Sequence, residues 1–219
     1  MIKTSVILSD TLLPGTPTSL GESALLAARA IDSYGLDSKQ IFLDEGIELK
    51  DISKPYSRIP ISIMARVWQQ TIKLSNDPYI ALRVARFFNP TTFSALGIAL
   101  IASQNIYDAL QRATRYSQLI CDGYTTSLNE NFGEVTFSVT PSADLDSQNY
   151  CTGVEVTFCS LFNILRTVAG DSFKAKTVYF IHSFKGSKKP FEDFFNCPVY
   201  FSCQYNKLVF DKQSVFENQ

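Results

Sequence analysis

Apolar residues recur at intervals of three and four along the first half of the chain and at intervals of two along part of the second. The first spacing puts side chains on one face of a helix and the second on one face of a strand. Ala24, Ala27, Ala28, Ile31 and Tyr34 define a first helix, which Gly35 ends with a left-handed residue. Ahead of it, Ser19-Leu20-Gly21-Glu22 has the S-x-x-E spacing of a capping box, and structure is expected to begin at Ser19. Pro14, Gly15 and Pro17 forbid a helix further upstream, so residues 1–18 are read as an arm. A short helix is expected over 38–44, capped by Asp37 and stopped by Gly46. Ile61, Met64, Ala65, Trp68 and Ile72 mark the next. Asp77-Pro78 then serves as a cap with proline in the first turn, opening a helix with Ile80, Ala81, Val84, Ala85 and Phe88 that Pro90 ends. Phe93, Leu96, Leu100 and Ile101 mark another. Ile106, Ala109, Leu110, Ala113, Tyr116 and Ile120 mark one more, ending near Gly123.

Beyond that point Val135, Phe137 and Val139 alternate with polar residues, and Asn131-Phe132-Gly133 turns the chain back on 124–128 as a β-hairpin. A polar loop follows over 141–149. Val154, Phe158, Leu161, Phe162, Leu165 and Val168 describe a long buried helix ending at Gly170. A strand is expected over 176–181, a short helix about 190–195, and a second hairpin joining 199–202 to 207–210. The sum is an α+β fold: a helical N-terminal half, about 19–122, packed on a small, mostly antiparallel sheet with one long packing helix, about 123–212.

Composition narrows the function. Of 219 residues, 45% are hydrophobic, ample for a core, while charged residues reach 19% and aromatics 13%. Charge below the roughly 25% usual in soluble domains predicts that some apolar surface faces a partner or a ligand. Lys and Arg number 20 against 21 Asp and Glu, which leaves no positive excess for phosphates and makes the chain itself a poor nucleic-acid binder. Five cysteines, at 121, 151, 159, 197 and 203, are odd in number and form no C-x-x-C pair, and there is one His. Reduced cytosolic thiols are expected rather than disulfides or a zinc site, with no cofactor. No apolar run suits a signal peptide or a membrane span.

The common catalytic signatures are absent. His182, at the end of a predicted strand, is the one histidine able to carry a proton; the plainer reading is a hydrogen-bonded side chain holding the next loop. Asp77, Asp108, Asp122 and Asp171 stand at helix starts or ends, where Asp caps or terminates. Arg83, Arg86, Arg112 and Arg115 lie opposite the apolar stripes, on a solvated face or gripping an acidic ligand or subunit. Lys185, Lys188 and Lys189 make a solvated basic loop. Trp68, Phe93, Tyr116, Tyr124, Tyr179, Phe180 and Phe184 are mostly core. Those near the junction of helices and sheet line an apolar cavity if one exists, closed by polar tips such as Tyr116 and His182. The candidate ligand-binding residues are therefore Trp68, Phe93, Tyr116, Tyr124, His182 and Phe184.

An ordered series of short motifs runs through most of the chain. Arg58-Ile59-Pro60 and Trp68 are followed by Asp77-Pro78, Leu82-Arg83, Leu96-Gly97, Ser103, Ala109-Leu110, Arg115-Tyr116 and Leu119. The second half adds Lys176-Thr177-Val178-Tyr179-Phe180-Ile181-His182, Phe194-Phe195-Asn196-Cys197-Pro198-Val199-Tyr200-Phe201 and Asn206-Lys207-Leu208-Val209-Phe210. Over about 20–212 the series resembles the N-terminal sensor region of one subfamily of AraC-type transcription regulators. That resemblance implies an effector-binding and dimerisation domain, not an enzyme, taking a small apolar or amphipathic effector and forming a homodimer in the cytoplasm. It implies neither arabinose as ligand nor a cupin barrel. DNA would be met only by a C-terminal helix-turn-helix domain, absent from this chain, with 213–219 the start of the linker to it. Two other readings stand beside this one. In the first, the apolar stripes at 61–88 and 106–120 dock a partner without any effector; in the second, His182 serves an enzyme.

Overall fold

In the computed structural model, which describes residues 15–54, 56–89, 91–142 and 150–217, the helical half comes first, as the periodicity predicts. It contains β1 (Thr18–Leu20), α1 (Gly21–Asp32), α2 (Ser38–Asp44), α3 (Leu49–Ile52), β2 (Arg58–Pro60), α4 (Ile61–Ser75), α5 (Ile80–Phe87), α6 (Ser94–Ile101) and α7 (Ile106–Ile120). The second half contains β3 (Tyr124–Asn131), β4 (Glu134–Pro141), α8 (Cys151–Ala169), β5 (Thr177–Tyr179), α9 (Lys189–Phe195), β6 (Val199–Tyr200), β7 (Asn206–Asp211) and α10 (Lys212–Phe216). The fold is α+β. The expectations that fall on 1–14, Pro90, 143–149 and 218–219 lie outside the described residues.

Two sheets organise it. β1 and β2 form an antiparallel clasp, and the larger sheet runs β3-β4-β7-β5-β6. Its first hairpin turns where expected: Asn131 lies opposite Glu134, with Gly133 in the left-handed region at φ +80°. The second expected hairpin does not form. β7 inserts between β4 and β5, antiparallel to both, and β6 runs parallel to β5 at the far edge. Leu208, Val209 and Phe210 are consecutively buried, as befits a strand covered on both faces in the middle of the sheet.

Other departures are local. Ser19 does not cap α1, because its extended backbone is taken by pairing with Ile59, and the helix starts two residues later with Leu20 at the cap position and no side-chain cap. The Gly21 amide instead donates to the Ser57 carbonyl at 2.8 Å, and the Oε2 of Glu22 is left buried without a partner. Asp77 sits a turn ahead of α5. Its Oδ1 accepts from the Tyr79 amide at 2.8 Å, and its Oδ2 accepts from the Tyr34 hydroxyl at 2.8 Å. Asn105, not Asp108, caps α7; Asp108 lies one turn inside and accepts from the Gln104 amide and from Arg112. Residues 213–216, expected as linker, continue as helix because Val215 is buried and Phe216 stacks on Tyr107 with ring centroids 4.3 Å apart.

Two cores result. One gathers Ala27, Ile31, Phe42, Val67, Trp68 and Val84 among α1, α2, α4 and α5. The other gathers Phe137, Phe158, Phe162, Phe180, Phe195 and Phe210 between α8 and the sheet. α8 belongs to both, and Asn163 on it donates to the Ala85 carbonyl of α5 at 2.6 Å. Much of the apolar stripes at 61–88 and 106–120 is used inside this chain: Ile80, Val84, Ile106 and Leu110 are fully buried.

Candidate functional site: an apolar cavity between the two cores

α8 carries two apolar stripes. Phe158, Phe162 and Leu165 enter the sheet-side core. Rotated from them, Gly153, Val156, Thr157, Ser160, Leu161 and Ile164 follow the spacing of three and four of a second helical face, and this face is built from smaller side chains. It forms one wall of a cavity of about 170 Å³. Opposite it stand Ile61, Met64, Ala65 and Trp68 of α4, again at helical spacing. Phe88, Phe93, Leu96 and Leu100 close one end, Ala113, Ser117 and Ile120 of α7 flank it, and Tyr124, Thr126, Phe137 and Val139 of the β3–β4 hairpin make the floor. For scale, an apolar cavity of about 150 Å³ admits benzene.

Among the described residues no Lys, Arg, His, Asp or Glu lines it. Most of the polar atoms named here are occupied. The Tyr124 hydroxyl donates to the Tyr150 carbonyl at 3.3 Å, passing under α8 at Gly153, where a Cβ would stand 2.6 Å from it. Burial pushes the Tyr124 phenol well above its ordinary pKa. The Ser117 hydroxyl meets Thr126 Oγ1 at 2.8 Å, and Thr157 donates to the Gly153 carbonyl at 2.8 Å. Ser160 Oγ is buried and has no hydrogen-bond partner. Cys121 lies at the β1 side, where burial pushes its thiol up to about 11 and so keeps it protonated at neutral pH.

A polar clasp secures that side. Arg58 donates from Nε to Thr18 Oγ1 at 2.6 Å, from Nη1 to the Leu119 carbonyl at 2.9 Å, and from Nη2 to Asp122 Oδ2 at 3.1 Å. Asp122 also accepts from the amide and the hydroxyl of Thr18. Asp122 is thus an anchor for β1 at the end of α7, not merely a helix terminator.

Of the six candidate residues, Trp68, Phe93 and Tyr124 line the cavity, while Tyr116, His182 and Phe184 do not. Tyr116 is half-buried on α7, with the Arg115 guanidinium 5.8 Å from its ring centroid. His182 is 3% exposed, its Nε2 is 2.8 Å from Glu155 Oε1, and its carbonyl accepts from the Ser202 amide. Burial pushes the Glu155 carboxyl above its usual range, and the bond to His182 works against that shift. This geometry matches the plainer expectation for His182. Phe184 stacks on Phe201 at 4.8 Å, and Tyr179 on Tyr200 at 5.4 Å. Two of the four arginines are tied to their own chain: Arg83 lies 3.9 Å over the Tyr34 ring, and Arg112 bonds Asp108 and the Ala99 carbonyl. Sequence reasoning missed Met64, Val156, Ser160 and Ile164. The signal that marks the last three is the second, small-residue stripe on α8.

Among the described residues no group of three His, Cys, Asp or Glu is placed to hold a metal ion, and no helix is long and apolar enough to cross a membrane.

Residues 35–215 match the family model described as the arabinose-binding domain of AraC transcription regulator, N-term. No curated protein sequence matches the chain. Among solved structures, the fold is similar to the transcriptional regulator CdpR from Pseudomonas aeruginosa, with a TM-score of 0.59 and 11% identity. The match covers 87% of this chain and 56% of that one, so this chain spans little more than half the regulator's length.

Proposed function

Because the chain belongs to the family of arabinose-binding N-terminal domains of AraC transcription regulators, we propose that its cavity takes a small apolar or amphipathic effector and that occupancy controls a C-terminal helix-turn-helix domain. The observation that carries this reading is the cavity itself, free of charged side chains among the described residues, whose walls come from both cores: α4 on one side, α8 and the β3–β4 hairpin on the other. A ligand seated there bears on the spacing between helices and sheet. It shifts a conformational equilibrium only by its differential affinity for the two states, commonly about 1–3 kcal/mol of coupling. No covalent step is needed. The near-neutral charge, −1, suits a part that leaves DNA to another domain of a cytoplasmic regulator.

Self-association is the second half of the proposal. Sedimentation at micromolar concentration, with and without ligand, tests it, and an exclusively monomeric protein would count against it. Effector binding is tested by a thermal-shift screen of small metabolites, neutral and acidic. A true ligand at about 100 times its Kd stabilises the folded state by about 2.7 kcal/mol, which a melting curve resolves. If no compound raises the Tm, the chain is a dimerising module without an effector.

A further inference from the structure

The reading of the cavity as an effector site is the premise here. On that premise, we propose that the ligand is an uncharged small molecule with one hydrogen-bonding group, a hydroxyl or a carbonyl, which Ser160 Oγ meets. Ser160 is 8% exposed, stands among the α8 residues that line the cavity, and its buried hydroxyl has no partner among the described residues. A buried hydroxyl within a helix ordinarily donates to the carbonyl four residues back. Thr71 does so to Val67 at 2.7 Å, Thr114 to Leu110 at 2.9 Å, and Thr157, on the same face of α8, to Gly153 at 2.8 Å. Ser160 departs from that pattern. Leaving a buried hydroxyl unmatched is unfavourable, so a group that fills the cavity and reaches Oγ gains from it. Water is a poor substitute, since it needs two to four polar partners. The neighbouring side chains Val156 and Ile164 are apolar, and the Thr157 hydroxyl is already committed.

The rest of the wall fixes the charge of the ligand. Among the described residues no cationic or anionic side chain lines it, so a carboxylate or ammonium buried there would stand unpaired, a large penalty. The volume, about 170 Å³, suits one small ring or a short branched chain. The competing arrangement uses Arg166. Its Nε is buried without a partner, and the side chain borders a separate hollow with Thr167 and Asp171 that shares Phe88 and Ile164 with the cavity. An acidic ligand would need that guanidinium.

Three probes of matched shape separate these cases by calorimetric titration: ethylbenzene, 2-phenylethanol and phenylacetate. Ser160→Ala is expected to weaken 2-phenylethanol about five-fold while leaving ethylbenzene nearly unchanged. Phenylacetate is expected to bind the unaltered protein at least about ten-fold more weakly than the alcohol. Without ligand, Ser160→Ala should melt no lower than the parent, because it removes an unmatched hydroxyl. Equal effects of Ser160→Ala on alcohol and hydrocarbon, or tightest binding of phenylacetate with dependence on Arg166, would overturn the proposal and leave the effector site standing. Failure of all three probes to bind overturns the proposal and the effector reading together.

Discussion

Gly153 is the residue on which the floor of the cavity depends. A Cβ there would lie 2.6 Å from the Tyr124 hydroxyl but 3.5 Å from the ring carbon that bears it, an ordinary contact. Gly153→Ala is therefore expected to lower stability by about 1–3 kcal/mol in urea denaturation. Adding Tyr124→Phe should restore part of that loss, a coupling that a double-mutant cycle measures. Tyr34 supplies a pH dependence. Burial, reinforced by its bond to Asp77, raises its phenol from 10.0 to about 12, so the folded state holds this proton more tightly than the unfolded chain does. The sign follows: its contribution is complete below about pH 10 and is lost as pH rises towards about 12. Tyr34→Phe should show a shallower fall in urea midpoint over that window, and an identical fall would contradict the assignment. At this scale the sequence was legible in part. Trp68, Phe93 and Tyr124 could be picked because large aromatics at a helix–sheet junction border any gap left there. His182 attracted attention for its chemistry, yet its environment depends on Glu155, 27 residues away, and no local pattern reports that pairing.

Among elements, helices were readable because each writes its own buried face into three and four residue spacing. α2 and its Asp37 cap are one example, where Asp37 accepts from the Gln40 amide. α8, ending at Gly170, is another. Strand order was not readable in the same way. Alternation states which face a strand buries and is silent on which strand lies beside it, so β6 and β7 looked like a hairpin although β7 lies between β4 and β5. The start of α1 failed for a related reason: a capping signal at Ser19 lost to the long-range pairing of β1 with β2. The clasp that holds β1 is open to test. Arg58→Ala removes bonds to Thr18, Leu119 and Asp122. It should lower stability by about 1–3 kcal/mol and speed hydrogen exchange in β1 more than in β7. Uniform change across both strands would show that β1 is held by packing instead.

For the whole molecule, the functional feature is a space, and a space is written in no single segment. It exists because α8 presents bulky Phe158 and Phe162 to the sheet and smaller residues to α4, leaving a gap between two otherwise complete cores. Ala65 lies in the α4 wall and is 7% exposed, so Ala65→Phe projects a ring into that gap. The decisive measurement is a calorimetric titration of the best compound from the thermal-shift screen into the unaltered chain and into Ala65→Phe, the latter checked for cooperative melting. One site per chain with a negative heat-capacity change is expected in the first, and no binding in the folded variant. Equal binding by both proteins would place the ligand elsewhere and leave the cavity without an effector role.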